Sequence, residues 1–387
     1  MSDYENAVSL PELHKAMMQC ARGVRYKDSV MNFVNDGICK CHKLSQDIVT
    51  DKYKISRYLY FTITEPKRRD IVATRFRDRV WQKSMCNNGI REQLLKPLIY
   101  DNGACQKHRG VDFAIDRIIC FLQKYYRKNG TNKGWYSHLD IKSYFPSTPH
   151  SVSKDIVSQY VKDDTFKEHL YTIIDSFKDA RSQAEIDADR FGERGTALGS
   201  EISQLLQLMV LNKIDHAVKE KFRIKYHCRF NDDMLLISSD KEELKAVEKF
   251  ITDECAKLGL IVVAKTRCGK IEQNIKFLKR KFILTEHGKV VVKAMHDKFG
   301  KERRRLRKMK CKNIGIERVE RHYLSVRGIL SRCDNDKQIK SLDSYYLSLF
   351  GNLPIIKRRK RGTKNAYSQD KRTNRNRRAQ DSRTESR

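Results

Sequence analysis

The sequence predicts an α+β fold, and three observations carry that expectation. Phe230-Asn231-Asp232-Asp233 stands between the runs Ile224–Arg229 and Met234–Ser238, both apolar and β-prone, so it reads as a hairpin with acid at its tip. Apolar residues recur at helical spacing elsewhere, as at Val111, Ile115, Ile118, Ile119 and Leu122. Beyond Ala294 the chain reads as wholly helical and strongly basic to about Phe350.

Taken in order, residues 1–60 read as mostly helical, with apolar positions at Leu13, Met17, Val30, Phe33 and Val34. Phe61-Thr62-Ile63-Thr64 reads as a strand running into the cations Lys67-Arg68-Arg69. Trp135 to Ile141 is a second strand, ending in Asp140 and followed by a turn through Pro146. Helices near 150–161 and 164–177 precede a polar loop through Gly195. Ser200 to Glu220 reads as one amphipathic helix leading into the acidic hairpin. A helix over 241–258, a strand Leu260–Val263 and the segment Phe277–Phe282 follow, and Glu286-His287-Gly288-Lys289 looks like a hairpin turn. From Lys357 the chain has too little apolar content to fold and is expected to be disordered.

Composition narrows the partners. The 387 residues carry 80 Lys and Arg against 48 Asp and Glu, a net charge of +32, which favours a polyanion. No apolar run approaches the roughly 18 residues of a spanning helix, so no membrane is expected. The polar, acidic start is no secretory signal. The eleven cysteines are scattered, and Cys39-Lys40-Cys41-His42 lacks the second pair of a zinc site. A reducing cytoplasm, bacterial or of a phage-infected host, suits them.

Adjacent aspartates raise each other's cost of ionising, so Asp232-Asp233 calls for a compensating cation; a solvated turn is the bland alternative. Asp140, at a strand end 92 residues before Asp232, can face the pair from a neighbouring strand. Three acids on two ions about 3.5–4 Å apart activate a 3′-hydroxyl and stabilise leaving pyrophosphate. Gly195-Thr196-Ala197-Leu198-Gly199-Ser200 places two glycines ahead of a helix, where backbone can approach a nucleotide or template closely.

Read together, these segments resemble a reverse transcriptase of the bacterial or phage lineage, the group II intron, diversity-generating and defence-associated enzymes. Thr74-Arg75-Phe76-Arg77-Asp78-Arg79-Val80-Trp81-Gln82 is similar to the family's R-D-R-V-V-Q/H segment. Tyr100 to Gly110 is similar to S-Y-A-x-R-x-G-[RK]-G. The Gly–Ser203-Gln204 stretch is similar to the family's glycine-to-Ser-Gln helix start, Phe230 to Asp233 to [YF]-x-D-D, and Gly259-Leu260 with Lys265-Thr266 to G-L-x-x-x-x-K-T. Phe277-Leu278 opens a primer-grip-like segment. The likeness spans roughly residues 60–310. It departs at Phe230-Asn231, where Tyr and an apolar residue are usual, and at Lys279, where glycine is usual.

The resemblance implies a right-hand polymerase fold with fingers, a palm with an antiparallel sheet, and a helical thumb. The boundaries expected are a helical N-terminal segment 1–60, fingers 61–135, palm 136–284 with inserted fingers-type helices, thumb 285–355 and a disordered basic tail 356–387. It implies that Asp140 and Asp232 are principal metal ligands with Asp233 auxiliary, holding two Mg²⁺ ions, with Mn²⁺ as substitute. Phe145 would exclude a ribose 2′-hydroxyl, or be a core ring. Lys67 and Arg69 would grip the triphosphate, Gln204 would line the nucleotide pocket, and Lys265 would be a general acid or phosphate contact, or a solvated lysine. Arg304, Arg305, Arg307 and Lys308, with Lys357, Arg358 and Arg359 of the tail, would bind nucleic-acid phosphates. The expected activity is DNA synthesis from dNTPs on a structured RNA template, in phage defence or in a diversity-generating element, with a homo-oligomer or accessory protein compatible. An RNA-dependent RNA polymerase, template-independent nucleotide addition and a non-catalytic RNA-binding relic stay open as rivals.

Overall fold

The structure, a computed structural model, describes residues 2–64, 68–177, 181–197, 199–295 and 297–354. Lys67 and the predicted tail, with Lys357, Arg358 and Arg359, lie outside them, as does the side chain of Arg69. Two compact units emerge, 1–117 with 133–270 and 118–132 with 271–387, the division falling inside the helix Val111–Asn129.

The first unit opens with four helices, Asp3–Val8, Leu10–Ala21, Asp28–Asn35 and Gly37–Val49. Ser2 and Glu5 form a capping box that starts the first. Leu13, Ala16 and Met17 recur on one face of the second and are buried, packing toward Phe76–Met85, where Val80, Trp81 and Met85 are sealed. Helix ends at Val49, earlier than the expected 60, and residues 52–58 run without regular structure into β1 (Leu59–Ile63). With β2 (Arg69–Ala73) it forms an antiparallel ribbon in which every β1 residue is exposed.

The centre of this unit is a four-stranded antiparallel sheet. Its strands are β3 (Trp135–Ile141), β4 (Tyr226–Phe230), β5 (Asp233–Ser238) and β6 (Val262–Lys270), ordered β4-β5-β3-β6. Leu139, Ile141, Met234 and Leu236 join one hydrophobic core with Leu205, Leu206 and Met209 of the helix Glu201–Val210 and Leu244, Val247 and Ile251 of the helix Lys241–Lys257.

Three expectations need correction. The predicted helix 200–220 breaks at Leu211 into Glu201–Val210 and Asn212–Glu220. The break leaves the Leu208 carbonyl to the Arg229 guanidinium, a tertiary contact that periodicity does not contain. The polar loop before Gly195 holds a helix, Gln183–Ala188, started by the capping box of Ser182 and Glu185. The strand expected at Leu260–Val263 starts at Val262 and runs to Lys270, because two bulges keep it paired with β3.

In the second unit β7 (Ile275–Phe277), β8 (Arg280–Leu284) and β9 (Val290–Ala294) form an antiparallel meander. The predicted turn at Glu286–Lys289 joins β8 to β9, with Gly288 at φ +76° against the Tyr126 ring. Helices Asp297–Cys311, Ile316–Leu330 and Asp336–Phe350 follow. Arg327 holds Asp343 at 2.8 Å, and Tyr323 stacks on Tyr346 with centroids 4.2 Å apart. No helix among the described residues is long and apolar enough to cross a membrane.

Candidate active site

The register of the sheet gathers the three predicted acids. β3 pairs with β5 so that Leu139 faces Met234, which brings Asp140 and Asp233 to the same sheet end. Phe230 pairs with Asp233, leaving Asn231-Asp232 as a two-residue turn. Asn231 takes φ +56°, a left-handed backbone that asparagine tolerates better than the bulky or β-branched residues. The departure from the family's apolar turn residue therefore suits the backbone.

The carboxyls divide their partners. Asp232 stands close enough to Asp140 for the two carboxyls to repel, while Asp233 Oδ1 lies 3.0 Å from His138 Nε2 and 2.5 Å from Lys265 Nζ. Lys265 Nζ also lies 2.7 Å from Asp140 Oδ2. His138 precedes Asp140 by two, so the strand's alternation puts both on one face. Lys265 owes its aim to irregularity. His138 pairs with Thr266 but Leu139 pairs with Ala264, so Lys265 is the extra residue of a bulge.

The electrostatics follow. Burial, reinforced by Asp140, pushes the Asp232 carboxyl up from the ordinary 3.8 to about 6. Burial also raises Asp233, but hydrogen bonds from His138 and Lys265 outweigh it and hold Asp233 below the usual carboxylate range. Burial lowers Lys265, yet its bonds to Asp140 and Asp233 keep it above the ordinary lysine value.

A second, fully buried network braces the hairpin from beneath. Arg229, wholly enclosed, donates from Nε to Asp215 Oδ2 at 2.6 Å, from Nη1 to the Asn231 carbonyl at 2.9 Å and from Nη2 to the Leu208 carbonyl at 2.7 Å. His227 Nε2 lies 2.9 Å from the other Asp215 oxygen. Burial pushes Asp215 up, but Arg229 and His227 outweigh it and leave the carboxyl below its usual range. On the outer edge of β4 the Arg229 amide donates to the Asp101 carbonyl and its carbonyl accepts from Gly103, docking the Tyr100–Gly110 segment there. Asp101 is held in turn by Arg117 at 2.6 Å and Lys219 at 2.8 Å.

The glycine loop is fastened just as firmly. Gly195 stands at φ +101°, and a Cβ there would meet the Phe177 ring at 2.5 Å, so only glycine fits. Arg194 bonds Asp189 and the carbonyls of Ser147 and Gly259. Gln207, on the helix Glu201–Val210, donates to Thr196 Oγ1 at 3.4 Å and accepts from Thr148 at 3.0 Å, while its main-chain carbonyl accepts from Tyr144, so it ties the loop to the turn after Asp140.

The remaining predicted residues are spread more widely. Phe145 is half-buried against the core and meets Tyr144 edge-on with centroids 6.0 Å apart. Gln204 is half-buried on the helix capped by Ser200, and it is Gln207, one turn later, that takes the buried bonds. Arg304, Arg305, Arg307 and Lys308 are exposed on Asp297–Cys311, a helix of the second unit that buries Glu302 and Leu306. Sequence reasoning missed His138, Asp215, His227, Arg229 and Gln207. Strand alternation could have found His138; nothing local distinguishes a buried arginine from a solvated one.

Hard oxygen donors with one carboxyl forced toward neutrality are the chemistry a divalent cation relieves, so the acids fit one in kind. They are not a finished shell: among the described residues no three metal-binding side chains stand ready together. The Lys265 ammonium lies between Asp140 and Asp233.

Residues 67–281, more than half of the chain, match the family model described as reverse transcriptase (RNA-dependent DNA polymerase). The chain is similar to a putative COX1/OXI3 intron 2 protein of Saccharomyces cerevisiae, 23% identical over 201 residues, which is 51% of this chain and 22% of that protein. It thus spans about a fifth of that relative's length. Among solved structures it is similar to a Sicinivirus 3Dpol RNA-dependent RNA polymerase (TM-score 0.49, 13% identity, 81% of this chain and 68% of that one). It is also similar to the telomerase of Candida albicans (TM-score 0.46, 10% identity, 79% and 62%). The mixture of helices and antiparallel sheets is that of a right-hand polymerase. With the acids at one sheet end and the family's segments in order around them, the chain belongs to the reverse transcriptase family.

Proposed function

We infer that this protein is an RNA-directed DNA polymerase that adds dNTPs to a primer on a structured RNA template. The observation that carries this reading is the register that brings Asp140 and the Asp232-Asp233 turn, distant in the chain, to one sheet end, where Lys265 Nζ lies 2.7 Å from Asp140 and 2.5 Å from Asp233. Asp140 and Asp232 would hold Mg²⁺, with Mn²⁺ as substitute and Asp233 as the auxiliary acid. Bound there, the two ions would activate the primer 3′-hydroxyl and neutralise the leaving pyrophosphate. Lys265 gives up Asp140 to make room and then meets the phosphates of the nucleotide, while His138 keeps Asp233 oriented. Phe145 excludes a ribose 2′-hydroxyl, Lys67 and Arg69 grip the triphosphate, and Gln204 lines the base.

In this reading residues 61–135 are fingers, 136–284 palm and 285–355 thumb, preceded by the helical segment 1–60. Arg304, Arg305, Arg307 and Lys308 follow duplex phosphates, and Lys357, Arg358 and Arg359 add salt-sensitive affinity for RNA. We place the enzyme in the bacterial or phage lineage, acting in the cytoplasm in defence against phage. The net charge of +32 supports the RNA partner.

Primer extension on an RNA template tests the activity. Asp232→Ala should lower synthesis by roughly 1,000-fold or more, with RNA affinity nearly intact. Residual activity within tenfold of wild type removes the acids from the chemistry. Equal use of NTPs and dNTPs, unchanged by Phe145→Ala, would make it an RNA polymerase instead. Phage protection that survives Asp232→Ala would end the defence role.

A further inference from the structure

We propose that Arg229 is the positioning residue of the acidic turn, fixing through the Asn231 carbonyl where Asp232 stands relative to Asp140. The inference rests on the polymerase reading and adds to it a device beneath the acids. The Asn231 carbonyl belongs to the peptide that links Asn231 to Asp232. In a two-residue turn that peptide is the plane whose flip converts one turn type into another. A flip would swing the backbone of Asp232 and carry its carboxyl away from Asp140. Arg229 Nη1 donates to this carbonyl at 2.9 Å from a guanidinium that is itself wholly buried.

The clamp is itself tied down. Nε is fastened to Asp215 at 2.6 Å and Nη2 to the Leu208 carbonyl at 2.7 Å, both inside the core. Asp215 is wholly buried and is kept in place by His227 at 2.9 Å. The Arg229 backbone is fixed as well, donating to Asp101 at 3.2 Å and accepting from Gly103 at 3.0 Å. A planar guanidinium can serve three acceptors in fixed directions at once, which a lysine ammonium on this stem cannot reproduce. A network built only for stability would have no need to reach the tip of the turn. This one spends a buried donor on the peptide next to the acid.

The test compares wild type with the paired substitution Asp215→Asn and Arg229→Gln. The pair removes both buried charges together, so no uncompensated ion is left, and it keeps a hydrogen-bonding group beside His227. Thermal unfolding, RNA binding, Mn²⁺ binding by electron paramagnetic resonance, and kcat and KM for dNTP on a primed RNA template are measured on the full chain. The variant should fold and bind RNA as wild type does. Its kcat should fall by about 100-fold, as expected of a misplaced reacting group, with KM nearly unchanged. Its Mn²⁺ affinity should weaken by about tenfold, as for the loss of an outer partner of a metal ligand.

A folded variant with kcat and Mn²⁺ affinity within threefold of wild type overturns the proposal. Should the pair not fold, Arg229→Lys is read in the same way, since it keeps charge beside Asp215 but cannot also reach the turn. If that variant too loses activity only in proportion to its unfolded fraction, Arg229 is structural and the proposal is overturned. Wild type that extends no primer refutes the polymerase reading alone, and the Mn²⁺ titration then decides for or against Arg229.

Discussion

Two tight turns in this protein solve the same backbone problem differently. The turn between β4 and β5 places Asn231 at φ +56°, uses a residue that tolerates the left-handed region, and is clamped from below by Arg229. The turn between β7 and β8 puts both Leu278 (φ +45°) and Lys279 (φ +57°) in that region with no glycine at either position. Each such residue costs about 1–2 kcal/mol. At the acidic tip the strain is minimal and the orientation is specified by buried bonds. One turn leaves its strain in the backbone; the turn that carries the candidate metal ligand Asp232 is held to one geometry.

The comparison can be broken first at Asn231. A β-branched residue there is a backbone outlier, so Asn231→Val should lower kcat by about 100-fold through displacement of Asp232, whereas Asn231→Gly should stay within a few-fold. Single-turnover extension by the two variants would separate them, and equal losses would mean that the side chain, not the backbone, matters.

A smaller effect is expected from the charge at the tip. Because Asp232 is raised to about 6, the metal-free native state binds more protons than the unfolded chain between about pH 4 and 6. That group therefore destabilises the fold as pH rises through this window. Asp232→Asn should remove the decline, gaining roughly 1–2 kcal/mol relative to wild type above pH 6 once partial exposure is discounted. Urea titrations at pH 4.5 and 7.5 check it; parallel curves for the two proteins would show that Asp232 is not strained. Smallest is the relief of the second turn. Lys279 is exposed, so Lys279→Gly should stabilise by about 0.5–1 kcal/mol after the entropy of glycine is subtracted. A lower unfolding midpoint would show that the turn is not strained.

Much of the fold was legible because its signals are local. The acidic hairpin, the strand Trp135–Ile141 and the helices after Ala294 are each written in periodicity and turn chemistry within a dozen residues. The errors lay where long-range contacts overrule the local pattern. The 200–220 helix breaks where Arg229 takes the Leu208 carbonyl, and β6 outruns its apolar segment because bulges keep it paired with β3. His138 was within reach of strand alternation, but Arg229 and Asp215 were not, since burial is a property of everything packed around them.

By itself the sequence determined the chemistry available to this protein: three carboxylates, a glycine loop before a helix, and a large excess of cations. Those are properties of residue type and near-neighbour spacing, so they survive without a fold. Only the tertiary structure decided which carboxyls gather beside Asp140, which one Lys265 and His138 hold, and that an arginine sealed from water steadies the turn. Such choices depend on strand register and on desolvation, and both come into being when distant segments pack.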